Sequence, residues 1–362
     1  MTSTDYSVQV IQSRQELTAL RADWDQLFAR LAEPAFYHDW RWHECLSRRL
    51  FSDIAYYCIR HRAELVAVVP LRPKKAGRSL QLPVSRQTDL TDILLHPGHC
   101  NEAVLYTLFR GVTDQVGRWQ HVVFERVPKG SSAFQLAQLH RRSMHADRMS
   151  KNSFFQTQSV GDLKTLSKKH LKNVNRFQRK LIQDTGDLLF EHRRSDAQSI
   201  EDFLHIEHSG WKGSRGKCSS ILSDSDVTGF YRDVAQSFAE TGQLCLSFAS
   251  VNQKRISGQF AILTGQRQAL LKLSYLPEYG DYAPGNLLLN DTLQAAARDV
   301  QVDELNLLTG PGWADRWHPS STDVYLLSLF NNTLRGWLGY GLLRLKDFLR
   351  PFKLRIINRS TK

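Results

Sequence analysis

"QALLKLSYLPEYGDYAPGNLLLNDTLQAAARDV" occupies residues 268–300, and its reading decides the fold. "QALLKLSYL" is a strand candidate. A Pro-Gly turn follows, and "GNLLLNDTLQAAARDV" has helical apolar spacing. A strand that feeds a helix through such a turn presents unsatisfied N–H groups at the positive end of the helix dipole. Phosphates and carboxylates bind there. Gly285 permits close backbone approach, and Pro284 sits where a missing donor costs nothing. Taken alone, the motif is weak, and a plain Pro-Gly helix start is the more common explanation of such a turn. It is not a Walker loop, since no G-K-[ST] follows, and G-x-G-x-x-G is absent.

Working outward, three consecutive strand candidates, "QLCLSFASV", "RISGQFAILTG" and "QALLKLSYL", precede the turn, and "ELNLLTG" (304–310) follows its helix. Helices are expected at 197–211 and 227–242, with a polar Gly/Ser-rich loop between them. The first half has a similar order. It runs through helices at 13–31 (Ser13 cap, Glu16 three residues on) and 36–50, then a two-strand hairpin at 54–73. Short strands "SLQLPV" and "DILLH", a helix at 100–117 and a strand at 120–128 come next. A helix in "SAFQLAQLHRRS" and a strand in "SFFQTQSV" complete it. The common order predicts two similar α+β units joined near residue 160. The first half lacks a clear Gly-bearing turn before its 100–117 helix, so the second unit is expected to be the active one.

The 362 residues are enough for two cores, and 41% hydrophobic with 23% charged reads as globular. No secretory leader is read at the N-terminus, and no apolar run approaches the ~20 residues a bilayer span needs. Five scattered cysteines without C-x-x-C argue against a disulfide framework or a structural zinc site. A cytoplasmic location, with peripheral contact to the inner membrane surface, is expected. The net charge of +12 is concentrated. Residues 163–180 carry seven Lys/Arg and no acid, and 324–362 carry eight against Asp347 alone. These two segments exceed the whole chain's charge, so the remainder is slightly acidic. Such strips are either solvated helix faces or surfaces for an anionic partner. Residues 162–184 read as an amphipathic basic helix, and Val324–Phe352 as a second amphipathic helical segment with interfacial character.

With "EHSGWKG" (207–213) upstream of the turn and "DELNLLTGPGWADRW" (303–317) downstream, the chain resembles the GNAT acyltransferase superfamily. More closely it resembles the tandem-GNAT, Fem-like branch described as cellulose-biosynthesis-protein-like. The matching elements are Trp211-Lys212-Gly213, Pro284-Gly285, the strand from Asp303 to Gly310, and Trp313 to Trp317. The basic helix at 162–184 also matches. Two positions depart from the pattern: Ala283 replaces the common Ser, and Trp313-Ala314-Asp315-Arg316 replaces a Tyr-Lys pair.

The resemblance implies an α/β (α+β) fold of two tandem GNAT-like units, each a mixed, mostly antiparallel sheet flanked by helices. Residues 1–160 would be a degenerate or substrate-shaping unit, 161–322 the acyltransferase unit, and 323–362 a basic amphipathic helix. Acyl-CoA would be the cosubstrate, without a metal. It would lie between splayed strands, with its pyrophosphate on Gly280, Tyr282, Ala283, Pro284, Gly285 and Asn286. Glu207 and Asp303 are candidate proton acceptors, and Tyr275 is a candidate acid toward the leaving thiolate. Trp211, Lys212, Lys272 and Trp313 would hold the acceptor, a small molecule, glycan or lipid. The reaction would be direct N- or O-acyl transfer. Two alternatives stand beside it: a Fem-type peptidyltransferase using aminoacyl-tRNA, and a non-catalytic membrane-surface scaffold. "HIEH" (205–208) has ligand-compatible spacing but no indicated third ligand. "HDWRWH" (38–43) reads as packing, and no G-x-S-x-G elbow is present.

Overall fold

The computed structural model describes residues 5–74, 78–141, 143–158, 168–210, 213 and 219–360, with side chains to residue 349. The chain divides into two compact units that interleave in sequence. One comprises Met1–Ala32, Asp53–Met149 and Asp323–Lys362; the other comprises Glu33–Ser52 and Ser150–Thr322.

In the first unit, β1 (Tyr6–Ile11) leads to α1 (Arg14–Ala19) and α2 (Arg21–Phe28). The Ser13–Glu16 capping box forms as read, and the helical stretch is divided at Leu20. Strand β1 is an addition to the sequence reading. It pairs antiparallel with β2 (Ala55–His61), which forms the expected hairpin with β3 (Glu64–Pro73). Next, β4 (Ser79–Gln81) pairs with β3, as does β5 (Leu94–Leu95). Strand β6 (His121–Pro128) lies parallel to β4. Helix α4 (Glu102–Val116) packs on β1 and β2, and α5 (Ser132–Gln138) packs on β6. Val66, Val69, Leu108, Val122 and Phe124 centre the core.

The second unit takes the end of β7 (Met144–Gln156), then α6 (Lys168–Thr185), β8 (Leu189–Arg194), α7 (Ile200–Ser209) and α8 (Ser225–Ala239). Strands β9 (Leu244–Val251), β10 (Lys254–Thr264) and β11 (Arg267–Tyr275) follow, then α9 (Pro284–Arg298) and β12 (Glu304–Asn306). The strand order is β7-β12-β11-β10-β9-β8. Every neighbouring pair is antiparallel except β11 with β12. Helix α3 (Trp40–Arg49) also belongs here. Trp42 meets Phe230 of α8 edge-on at 5.0 Å, and Arg49 pairs with Asp233 at 2.6 Å. "HDWRWH" is therefore packing, as read: Trp42 and His43 are buried.

The C-terminal expectation needs correcting. Ser320–Phe330 is a strand, β13, antiparallel to β6 in the first unit. Only Leu334–Ser360 is helical, as α10. The run "VYLLSLF" (324–330) holds one polar residue, Ser328, so its spacing suits either element. The open edge of β6 settles it, by taking up the run's backbone hydrogen bonds.

Candidate active site

The second unit's parallel strand pair opens into a wedge. β11 and β12 pair only over Arg267↔Glu304, Gln268↔Leu305 and Ala269↔Asn306. Beyond that, β11 stays with β10 through Tyr275. The chain after β12 instead follows β7: Leu307 N–H bonds Ser153 O at 2.8 Å, and Ser153 N–H bonds Thr309 O at 3.1 Å. Local chemistry explains the divergence. Asn306 Oδ1 accepts Leu308 N–H at 2.8 Å, and Leu308 adopts φ +60°, a left-handed conformation costly for a branched residue. Arg267 pins the closed end, with its Nε 2.7 Å from Glu304.

Beyond the wedge's open end lies the turn with which the sequence reading began. Pro277–Tyr282 forms a 3-10 turn, and Ala283 is left-handed at φ 51°, ψ 49°. Helix α9 then starts at Pro284 without a side-chain cap. The N–H groups of Asn286 and Leu287 turn back to Ala283 O, at 2.9 and 3.2 Å. Pro284 has no donor. Gly285 N–H has no partner among the described residues, and so is the free donor of this helix start. Gly285 itself is buried. A Cβ there would stand 3.0 Å from Leu273 Cδ2 and 3.5 Å from Tyr275 Cδ1. The glycine is thus required for close packing of α9 on β11, a reason the sequence reading did not supply.

Helix α6 borders this turn and packs on α9. Tyr282 Oη donates to Asp184 Oδ2 at 3.0 Å, which pushes the phenol's pKa up. Lys180 Nζ lies 5.0 Å from the Tyr282 ring centre, and Lys254 Nζ lies 5.7 Å from that of Tyr279. Sequence reasoning missed Lys180, Lys254 and Tyr279 as neighbours of the turn. The basic run identified α6 but not the surface it borders.

Strand alternation sorts the remaining candidates. Leu273 and Tyr275 face α9, whereas Lys272 and Ser274 face α7. Gly258, opposite Ser274, would place a Cβ 3.0 Å from Phe203 of α7; a Cβ on Gly210 would lie 4.0 Å from Ser274 Oγ. Glu207 stands one turn after Phe203 and is 2% exposed. Its Oε2 accepts Ile221 N–H at 2.9 Å, bracing the segment before α8. Glu207, Lys272 and Ser274 therefore share a face, and Ser274 was not singled out from sequence. Tyr275 packs at the turn rather than deep in the wedge, about 20 Å of strand from Ala269. Asp303 is placed apart: its N–H bonds Gln266 O at 2.8 Å, beyond the closed end, about 30 Å of strand from Tyr275.

Trp313 is 42% exposed before the Ala314–Trp317 turn. Trp317 is buried, edge-on to His170 of α6 at 4.5 Å. Burial, and secondarily Arg316, push the His170 pKa down. Trp211 and Lys212 lie outside the described residues. His208 Nδ1 is 2.8 Å from Ser220 Oγ, a local hydrogen bond.

The first unit differs at the corresponding turn, though not for lack of a glycine. Pro97–His99 forms a 3-10 turn containing Gly98 before α4. Side chains take two of its donors: Gly98 N–H bonds His96 Nδ1 at 3.0 Å, and Asn101 Oδ1 accepts Val104 N–H at 3.1 Å. A side chain thus caps the start of α4, whereas none caps the start of α9.

Residues 168–317 match the acetyltransferase (GNAT) domain family. Among curated protein sequences none matches the chain. Solved structures with the same fold include FemX, at 10% identity and TM-score 0.59, covering 92% of this chain and 99% of that one. L-PGS from Bacillus licheniformis is similar at 12% identity and TM-score 0.56, covering 91% of this chain and 96% of that one. A tandem GNAT protein from the clavulanic acid biosynthesis pathway aligns at 10% identity and TM-score 0.50, covering 89% and 98%. At such identities the likeness carries the fold. The wedge and the uncapped helix start both lie within residues 168–317, the stretch that matches the GNAT acetyltransferase domain family.

Proposed function

We propose that the second unit transfers an acyl group from a CoA thioester directly to an amine or hydroxyl acceptor. One observation carries this reading: the wedge between β11 and the chain after β12 leads to a helix start with a free N–H. The open edge of β11 over 270–275 offers backbone groups to an extended pantetheine arm. Gly285 N–H and the dipole of α9 receive the pyrophosphate, with Lys180 and Lys254 adding positive charge. The acceptor's lone pair attacks the thioester carbonyl, and the tetrahedral intermediate collapses with cleavage of the C–S bond. The thiolate leaves and takes its proton from solvent. Glu207 accepts the acceptor's proton, and Lys272 on the same face stabilises the oxyanion or an anionic acceptor. Tyr275 packs at the phosphate end and Asp303 beyond the closed end, so no proton step is routed through either. A glycan or lipid of envelope metabolism suits the chain's basic surfaces.

The test is a panel from acetyl- to palmitoyl-CoA, read by thermal shift and by free-thiol release with amine and hydroxyl acceptors. At least one thioester is expected to raise the melting temperature and be consumed. If none does either, the reading fails.

A second reading, aminoacyl transfer from tRNA as in Fem-type enzymes, is favoured by α6. This helix exposes Lys168, Lys169, Lys172, Arg176, Arg179 and Lys180 beside the turn. Phosphate tracking by these residues predicts tRNA binding that weakens steeply with salt. A flat salt response removes this reading.

A further inference from the structure

Helix α10 carries an apolar face that the first unit leaves uncovered. Leu338, Leu342, Leu345 and Leu349 form one row, bordered by Trp337 and Phe348; these side chains are 42–68% exposed. At 3.6 residues per turn they span an arc of about 140°. Arg335 and Lys346 flank one edge of that arc, and Arg344 flanks the other. The opposite side of the helix is the packed one. A Cβ on Gly339 would stand 2.7 Å from Gln120 Nε2 and 3.0 Å from Phe330, and Tyr340 meets the Phe330 ring edge-on at 5.9 Å. Asp347, the one acid of residues 324–362, is turned to this side, 3.2 Å from Nε2 of buried His145. The packing therefore separates three zones: an inner contact face, two basic edges and an outer apolar face.

We infer that α10 docks the protein on an anionic lipid bilayer, with the outer face among the acyl chains and the basic edges at the headgroups. The charge argues for this occupant over a second copy of the chain. Residues 324–362 carry eight Lys/Arg and one acid, so two such helices face to face repel, whereas an anionic surface attracts both edges. The arc is wide enough for shallow burial, and long basic side chains at its borders reach the headgroups. Among the described residues no helix is long and apolar enough to cross a membrane, so α10 lies in the interface plane.

The test uses the full chain with vesicles of phosphatidylcholine alone and of phosphatidylcholine with one quarter phosphatidylglycerol, read by co-sedimentation. Binding is expected to the anionic vesicles, at least tenfold tighter than to the neutral ones, and to weaken with salt. The double variant Leu338→Glu/Leu342→Glu loses it at least tenfold, and Arg344→Glu/Lys346→Glu weakens it. Both pairs are exposed, so melting temperature is unchanged, and sedimentation velocity confirms a monomer. Three outcomes overturn the inference: no binding by the wild type, equal binding by the variants, or a wild-type dimer that Leu338→Glu/Leu342→Glu dissociates. None depends on whether the second unit transfers acyl groups.

Discussion

Replacing Gly285 with valine tests the site where packing and ligand binding meet. The Cβ alone would stand 3.0 Å from Leu273 Cδ2. Carbon atoms prefer about 3.5–4.0 Å, and the two γ-methyls reach further, so α9 must shift outward by roughly 1 Å. Such overpacking costs about 1–3 kcal/mol of stability. The same shift carries Gly285 N–H from hydrogen-bond distance to nearly 4 Å from a bound phosphate. A hydrogen bond to a charged group contributes about 1.5–3 kcal/mol, so acyl-CoA affinity should fall roughly 10- to 150-fold. Urea unfolding and calorimetric titration with a non-hydrolysable acyl-CoA measure the two effects. Truncating Leu273 to alanine opens the space, so Gly285→Val/Leu273→Ala should recover affinity relative to Gly285→Val. Destabilisation with unchanged affinity would refute the phosphate role of this helix start. Failure of the second substitution to restore affinity would refute the steric argument.

Further expectations concern proton transfer, charge and pH. Glu207→Gln keeps an oxygen for Ile221 N–H but removes the proton acceptor, so kcat should fall about 10²–10⁴-fold with the fold retained; Asp303→Asn, beyond the closed end, should leave kcat unchanged. Lys180→Glu and Lys254→Glu should each raise KM for acyl-CoA several-fold at low salt and less at high salt, read by steady-state titration. Burial pushes the His43 pKa down from 6.5 to about 4. The unfolded chain thus takes up a proton that the folded state refuses. Stability is full above about pH 6.5 and declines as pH falls toward 4, by up to about 3 kcal/mol. Urea melts from pH 7.5 to 4.5 should show that slope, and His43→Gln should reduce it.

Much of the site was legible because its signals are local. The strand, turn and helix of 268–300 are set by β-prone residues, by Pro284 at a helix's first position and by apolar periodicity. Each acts within a few residues of itself. Other features escaped because their causes lie far along the chain. "VYLLSLF" fits a helix or a strand until β6 offers an edge. Helix α3 is read as a packing helix from its own residues, but Trp42 and Arg49 find Phe230 and Asp233 nearly two hundred residues later. Asp303 looks like a site residue from its place before the last strand. The parallel pairing with β11 then sets it at the closed end, because β12 begins level with Arg267 rather than with Tyr275.

The sequence by itself determined the alternating α+β order, the two basic segments, the Ser13–Glu16 cap and the Pro-Gly helix start. These follow from side-chain chemistry and backbone preference over one or two turns of chain. Tertiary structure alone decided that Gly285 is small to let α9 sit on Leu273, and that the wedge opens where Asn306 captures Leu308 N–H. It also decided that the first unit's turn spends Gly98 N–H on His96 and that α10 turns its one acid inward and its leucines out. Those outcomes depend on which surfaces compete for the same backbone groups and the same volume, and that competition is settled only when distant segments pack together.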